Sequence, residues 1–242
     1  MGALIIVERC LLKKMMQYDP SWLRDCSAQQ DVVVSSYLRL GRNVADHSFS
    51  WRASATERIR LWQRVKRTFT EAPPFAVCFC STLSDLDSSD VEVLGERQVL
   101  EAVLDGDYAG RGVLLSQDQA WAATVNTEYH LQLQFTMAGL QLRTGWGGLI
   151  GVDGWVNKHF DPAFRDGLGY LAARPEDTGS GLKIRVNLHI PALLMRGMTS
   201  TIVRGLRALG LKVVGAGGPG TTSSGGFFWV EGRPEPGETE ED

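Results

Sequence analysis

Hydrophobic and polar residues alternate along several short segments, a pattern typical of strands with one buried face. The pattern is clearest where His130, Gln132 and Gln134 alternate with leucine and phenylalanine. The apolar run DVVVSS, which ends in small hydroxyl residues, indicates a buried strand. Together these patterns predict strands over residues 31–36, 111–116, 120–125, 130–136, 182–190, 211–214 and 227–230.

Other segments place apolar residues at helical spacing. The clearest is 54–69, where Trp62, Val65 and Phe69 recur every three or four positions. Ser54 and Glu57 predict a capping box at its start, because each side chain can satisfy a backbone N–H group that the helix leaves free. The same spacing predicts further helices over residues 93–104, 149–160 and 192–209.

The order of these elements predicts an α+β fold in which helices flank an antiparallel sheet. The predicted strands cluster in pairs instead of alternating one by one with helices, and such clustering is typical of antiparallel sheets. A chain of 242 residues can form one compact domain. We therefore predict an N-terminal extension over residues 1–16, one folded domain over 17–230 and a disordered acidic tail over 231–242.

Charge is unevenly distributed along the chain. The formal net charge is -3, from 25 basic and 28 acidic residues, and the segment 231–242 alone holds six acids and one arginine. That segment is too polar to form a core, which predicts disorder. The remainder is close to neutral and lacks the positive field that nucleic acid requires, so we expect no nucleic-acid partner.

Cysteine content and hydropathy predict a cytoplasmic protein. The four cysteines are few for this length, and none forms a C-x-x-C pair. Cys78 and Cys80 lie two apart in an apolar run. Alternate residues of a strand share a face, so we predict a buried thiol pair. No stretch approaches the roughly 18 apolar residues that span a membrane, and we expect no membrane partner.

Two further patterns favour structural roles. Residues 215–220 match the letters of the dinucleotide-binding pattern G-x-G-x-x-G. A predicted strand follows them, whereas that pattern needs a helix N-terminus to hold pyrophosphate, so we interpret them as a glycine loop. The four histidines show no H-x-x-x-H spacing and no paired cysteines. We therefore expect no metal site.

Four blocks of sequence resemble the ATP:guanidino phosphotransferases, or guanidino kinases. They are VVVSSYLRLGRN, VNTEYHLQLQ, GYLAARPEDTGSGLKIRVNLHIPAL, and LGLKVVGAGGPG followed by FF. The blocks keep the order and spacing of the family and are similar to its bacterial protein-arginine kinase branch. The resemblance implies a catalytic domain whose antiparallel sheet is flanked by helices, in agreement with the predicted elements.

The resemblance also implies site residues. Phosphoryl transfer needs fixed positive charge around the moving group. It also needs a carboxylate that orients the substrate guanidinium and helps remove its proton. By resemblance, Glu128 is that catalytic carboxylate. The candidate residues for binding Mg-ATP are Ser35, Ser36, Arg39, Lys183 and, as a substitute cation on the same strand face, Arg185.

Several positions depart from the family pattern. They are Tyr37, Gln132 and Val214 in place of arginines, Val103 in place of a histidine, Arg174 in place of a cysteine and Pro219 in place of a glutamate. Lys183 keeps the charge of a fourth family arginine but loses its planar fork. Removing one such donor costs roughly 10²–10³ in rate, so the combined replacements predict a loss of ~10⁴ or more.

The leading hypothesis is a pseudokinase, a catalytically impaired member of the family that acts as a binding or regulatory module. Its expected partners are arginine-containing protein segments, held through Glu128, or an active paralogue. The alternative is an active ATP-dependent phosphotransferase on protein arginine or a small guanidino compound. That alternative requires Arg39, Arg174, Lys183 and Arg185 to form a rearranged clamp. A third hypothesis is a structural partner that binds neither ligand.

Overall fold

One eight-stranded sheet organises the molecule. The computed structural model describes residues 19–24, 31–69, 71–72, 74–75, 78–100, 107–215 and 225–234. Its strands are β1 (Val33–Arg42), β2 (Cys78–Thr82), β3 (Gly112–Ser116), β4 (Trp121–Val125), β5 (Leu131–Ala138), β6 (Phe164–Arg165), β7 (Gly169–Tyr170), β8 (Leu182–His189), β9 (Lys212–Gly215) and β10 (Phe227–Gly232). The sheet order is β2-β3-β4-β5-β1-β8-β10-β9, and β6 pairs with β7. All these pairings are antiparallel, so the predicted fold class is confirmed.

Helices connect the strands, and the two longest of the described helices cover one face of the sheet. In the described ranges they are α1 (Ser21–Arg24), α2 (Ala55–Phe69), α3 (Ser88–Glu96), α4 (Leu142–Phe160), α5 (Pro191–Met195) and α6 (Thr199–Ala208), with short 3₁₀ helices at Leu83–Asp85 and Pro175–Asp177. Trp62 of α2 and Val156 of α4 join Leu40 of β1 in the main hydrophobic core. None of the described helices is long and apolar enough to cross a membrane.

The predicted capping box at the start of α2 is confirmed. The Ser54 N–H donates to Glu57 Oε2 (2.7 Å), and the Glu57 N–H donates to Ser54 Oγ (3.3 Å). The hydrogen bond from the Ser54 backbone also lowers the pKa of Glu57, because it stabilises the carboxylate form. The local sequence therefore determines where α2 begins.

The opposite face of the sheet changes character from one edge to the other. Over β2, β3 and β4 it forms a second apolar cluster, in which Phe79 and Leu115 pack against Leu94 and Leu100. Over β5 and β1 it is buried but polar. Over β8 it is polar and half-buried, whereas over β10 it also carries the half-buried aromatic ring of Trp229. The polar part of this face, here called the polar face, carries the candidate site.

Several predicted helix boundaries are corrected by the structure. The helix expected at 93–104 is α3, which begins at Ser88 because Asp87 accepts a hydrogen bond from the Asp90 N–H (2.9 Å) in a capping box. The helix expected at 149–160 begins at Leu142. The helix expected at 192–209 is two helices, α5 and α6, because Gly197 between them adopts a φ of +67°.

The ends of two strands also differ from their predicted positions. β1 continues to Arg42, past the predicted end at residue 36, because its later residues pair with both β5 and β8. β10 continues to Gly232, so the predicted start of the tail at residue 231 falls within a strand. The predicted N-terminal extension (1–16) and the tail after Pro234 lie outside the described residues.

Candidate functional site

The turn between β4 and β5 holds Glu128 at the edge of the polar face. Asn126 in this turn has a φ of +55°, and its side-chain amide donates to the carbonyl oxygens of Arg58 (3.0 Å) and Gly110 (2.8 Å). Tyr129 lies against Gly41 of β1, where a Cβ would stand 2.5 Å from the tyrosine ring. Glycine at this position therefore permits the close approach that places the turn.

His130 ties the same turn to the loop after β1. The Val44 N–H donates to His130 Nδ1 (3.0 Å), and His130 Nε2 lies 2.8 Å from Ser48 O. Because a backbone amide can only donate, Nδ1 carries no proton and Nε2 donates to the carbonyl oxygen, which makes the ring neutral. Burial lowers the pKa of His130. This histidine therefore has a structural role in the turn.

A charged cluster forms around the Glu128 carboxylate. Lys183 Nζ of β8 lies 3.2 and 3.1 Å from its two oxygens, and Arg174 Nη2 contacts Oε1. The Glu128 side chain is 25% exposed and that of Arg174 is 54% exposed. The structure thus brings together three of the residues that the sequence singled out. The carboxylate already contacts a guanidinium from its own chain.

Asp177, which the sequence analysis missed, is a second carboxylate in this cluster. Its side chain is 5% exposed and accepts a hydrogen bond from Arg174 Nε (2.6 Å). Arg233 Nη1 lies 3.3 Å from Asp177 Oδ1, and Lys183 Nζ lies 3.7 Å from it. In the sequence, the only indication of a role for Asp177 was its position three residues after Arg174. The approach of Lys183 and Arg233 depends on the tertiary fold.

Arg39 lies in the centre of the polar face, opposite Gln134 of β5 and Lys183 of β8. Its Nε and Nη2 donate to Gln134 Oε1 at 3.1 and 2.8 Å, and Nη2 also donates to Gln98 O (3.0 Å). The residue is buried. Its guanidinium is therefore held partly by neutral acceptors. These acceptors occupy several of its N–H groups but do not neutralise its positive charge.

Arg185 lies two residues further along β8, opposite Tyr37. Its Nη2 and Nε donate to Glu231 Oε2 at 2.6 and 3.1 Å. Its guanidinium carbon is 5.3 Å from the centre of the Tyr37 ring and 4.8 Å from that of Trp229, which is within cation–π range. Tyr37, which the resemblance aligns with a family arginine, thus supplies a ring that contacts Arg185.

Of the remaining predicted positions that the structure describes, two lie on β1, one on β5 and one on β9. Ser35 and Ser36 are buried, and the Ser36 hydroxyl accepts from the Gln141 N–H (3.2 Å) just before α4. Gln132 is buried, and its Oε1 has no hydrogen-bond partner in the part of the chain that the structure describes. Val214 lies on β9, opposite Trp229. Val103 and Pro219 lie outside the described residues.

Thiol and metal chemistry receive little support from the described residues. Burial raises the pKa of the Cys80 thiol to about 11, so it stays neutral near pH 7. The side chain of Cys78 lies outside what the structure describes. In the same ranges no group of three His, Cys, Asp or Glu side chains is placed to hold a metal ion.

Comparison with known sequences identifies the family. The model of the family described as ATP:guanido phosphotransferase, C-terminal catalytic domain, matches residues 61–242. The protein-arginine kinase of Symbiobacterium thermophilum is 32% identical over 226 residues, which are 91% of this chain and 64% of that protein. That of Geobacillus stearothermophilus is 31% identical over 227 residues, with 92% and 62% covered. The chain therefore spans less than two thirds of the length of these relatives.

Comparison with solved structures gives the same fold. The taurocyamine kinase of Schistosoma mansoni matches with a TM-score of 0.76 at 23% identity, over 89% of this chain and 31% of that one. A lombricine kinase matches with a TM-score of 0.74 at 17% identity, over 88% of this chain and 62% of that one. The expected resemblance is confirmed, and the chain belongs to the ATP:guanido phosphotransferase family through its C-terminal catalytic domain.

Proposed function

We propose that this chain is a guanidino-kinase-like domain impaired in phosphoryl transfer, and that it binds arginine-bearing protein segments through Glu128. One observation carries the proposal: the cations of the candidate site already contact acceptors of their own chain. Glu128 contacts Arg174 and Lys183, and Glu231 contacts Arg185. A triphosphate would have to compete with these acceptors.

The charge balance of the polar face supports impaired transfer. Glu128, Asp177 and Glu231 lie among its cations, and carboxylates at this range disfavour a further anion. Tyr37 and Gln132 add no positive charge where the family resemblance has arginines. These features disfavour the triphosphate of Mg-ATP at this site and support the proposed impairment.

The two carboxylates of the cluster support a role in binding arginine. A planar guanidinium can donate two parallel hydrogen bonds to a carboxylate, which makes arginine its most specific partner. A cleft beside the cluster is lined by Tyr129, Asp177, Ser180, Lys183 and Pro234, among others. Asp177 itself lines this cleft and the lining residue Lys183 contacts Glu128, so an arginine side chain on a flexible segment could enter beside both carboxylates.

Two calorimetric titrations test the proposal. Mg-ATP should bind no more tightly than roughly millimolar, whereas micromolar affinity would contradict impaired transfer. An unstructured arginine-bearing peptide should bind, and the same peptide with lysine in place of arginine should bind more weakly because lysine lacks the planar fork. Glu128→Gln should weaken binding of the arginine peptide and should change the affinity for the lysine peptide less.

The second candidate function is active phosphoryl transfer to a guanidino group. It is favoured by the register of the sheet, which places Arg39 directly opposite Lys183 and puts Arg185 on the same face two residues away. Mass spectrometry for phosphoarginine, after incubation with Mg-ATP and an arginine-rich protein, separates the two functions. A product signal that Glu128→Gln abolishes would establish transfer.

A further inference from the structure

The contact between Arg174 and Glu128 joins a guanidinium to a carboxylate. The proposed binding of an arginine ligand to Glu128 would join the same two groups. Arg174 precedes the 3₁₀ helix Pro175–Asp177, and its Nη2 contacts Glu128 Oε1. Lys183 Nζ contacts both oxygens of the same carboxylate. A guanidinium from another molecule would therefore meet a carboxylate that already has a guanidinium partner.

Asp177 aims Arg174 at Glu128. It accepts from Arg174 Nε (2.6 Å), while Nη2 is left to contact Glu128. Asp177 is itself nearly buried, at 5% side-chain exposure, whereas the Arg174 side chain is 54% exposed. Asp177 is thus held in place within the fold, whereas the Arg174 side chain that it orients is accessible to solvent.

We infer that Arg174 is a built-in competitor that regulates access of arginine ligands to Glu128. This inference rests on the proposed binding of arginine through Glu128. A group tethered on the same chain reaches its target at an effective concentration of roughly millimolar or more, so a weak contact is well populated. An exposed ion pair between long side chains is also easily broken, so an incoming ligand can displace it.

The test is the affinity of Arg174→Ala for Nα-acetylarginine amide, measured by calorimetry on the full chain. If Arg174 occupies Glu128 about nine-tenths of the time, its removal tightens apparent binding about tenfold. The double variant Arg174→Ala/Glu128→Gln should lose this gain, because the carboxylate that receives the ligand is absent. Thermal unfolding of each variant confirms that it is folded.

Arg233→Ala is the matched control for charge. Arg233 is also 54% exposed and also contacts Asp177 (3.3 Å), but its recorded contacts are with Glu176 and Asp177 and not with Glu128. Both variants remove one positive charge from the cluster. We expect Arg233→Ala to change the affinity less than twofold, whereas an equal gain in the two variants would overturn the inference.

A second ligand separates displacement from simple electrostatics. Nα-acetyllysine amide carries the same charge but no planar fork, so Arg174→Ala should tighten its binding by much less than tenfold. An equal gain for both ligands, or no gain for either in folded Arg174→Ala, would overturn the role of Arg174.

The same variants distinguish failure of the inference from failure of the proposed function. If the wild-type chain phosphorylates arginine, impaired transfer is wrong. In that case competition by Arg174 still predicts that Arg174→Ala lowers KM for the guanidino substrate more than it changes kcat. If the wild-type chain binds arginine and Arg174→Ala binds no better, the proposed function stands and the inference fails.

Discussion

The two faces of the sheet each carry an arginine–carboxylate contact, in opposite surroundings. On the helix-covered face, Arg42 of β1 donates to Asp153 of α4 through Nε (2.8 Å) and Nη2 (2.9 Å), with side chains 2% and 10% exposed. The pair beside the polar face, Arg174 and Glu128, is 54% and 25% exposed. The first pair is a permanent part of the core. The second is accessible to solvent, as the proposed exchange of partners requires.

The buried pair also has more contacts. The guanidinium of Arg42 lies 3.4 Å from the centre of the Tyr170 ring, and its Nη1 donates to Ser180 O (2.7 Å). It thereby holds the segment between β7 and β8, which includes Arg174 and Asp177. Arg42 therefore fixes the segment that carries Arg174. The same pair of chemical groups serves as an anchor when it is buried and is suited to exchange when it is exposed.

Breaking the buried pair should have the largest effect. Asp153→Ala leaves the buried charge of Arg42 without its carboxylate, and we expect the free energy of unfolding to fall by about 3–5 kcal/mol. Chemical denaturation measures this loss. The control is Asp166→Ala at an exposed position, with an expected change within about 0.5 kcal/mol. Similar losses in the two variants would contradict the anchoring role of Arg42.

Filling the space at Gly41 should have the next largest effect. A Cβ at this position would lie 2.5 Å from the Tyr129 ring, so Gly41→Ala should cost about 1–3 kcal/mol and shift the turn that carries Glu128. Chemical denaturation should show the lower free energy of unfolding, and the affinity for the arginine peptide should fall as well.

The control for Gly41 is Gly147 of α4, where a Cβ would meet no atom within 4 Å. Gly147→Ala should stabilise the protein by about 0.5–1 kcal/mol, because alanine loses less backbone freedom in a helix. Destabilisation by both changes would point to the added methyl group itself rather than to the contact with Tyr129.

Breaking the exposed pair should destabilise the protein less than breaking the buried pair or filling the space at Gly41. Glu128→Ala removes a partly exposed contact, so we expect the free energy of unfolding to fall by about 1 kcal/mol or less. The same variant should lose arginine-peptide binding. If Glu128→Ala lowered the free energy of unfolding as much as Asp153→Ala, Glu128 would be a structural residue. That result would contradict the difference drawn between the buried and the exposed pair.

Acid should act on the turn through His130. Its pKa in the folded protein lies below the ordinary value of 6.5 because of burial, so the unfolded chain takes up the proton first. Stability from the neutral ring is therefore complete above about pH 6.5 and declines as the pH falls below it. Denaturation between about pH 7.5 and 5.5 should show this decline, and His130→Gln should make it shallower.

The fold was largely predictable, because alternation and helical spacing record which face of each element is buried. The exceptions have local causes. The pattern of YLRLGRN indicated no strand because its arginines face opposite sides of the sheet, where Arg42 meets Asp153 and Arg39 meets Gln134. The early start of α4 was hidden by glycines, which weaken a helical pattern without preventing the helix.

The candidate site was only partly predictable. Glu128, Arg174 and Lys183 could be singled out because the family resemblance aligns them. Asp177 could not, because its role depends on Lys183 and Arg233, which lie on other segments of the chain. Glu231 was assigned to the tail by composition, yet it pairs with Arg185 across two strands. Partners that meet through the tertiary fold leave no spacing in the sequence.

The contact of Arg233 with Asp177 has a mechanical consequence. Arg233 directly follows β10, and its guanidinium holds both Glu176 O and Asp177 Oδ1. The C-terminal end of β10 is therefore coupled to the charged cluster through one side chain. A small displacement of this strand end would move the 3₁₀ helix Pro175–Asp177 with it.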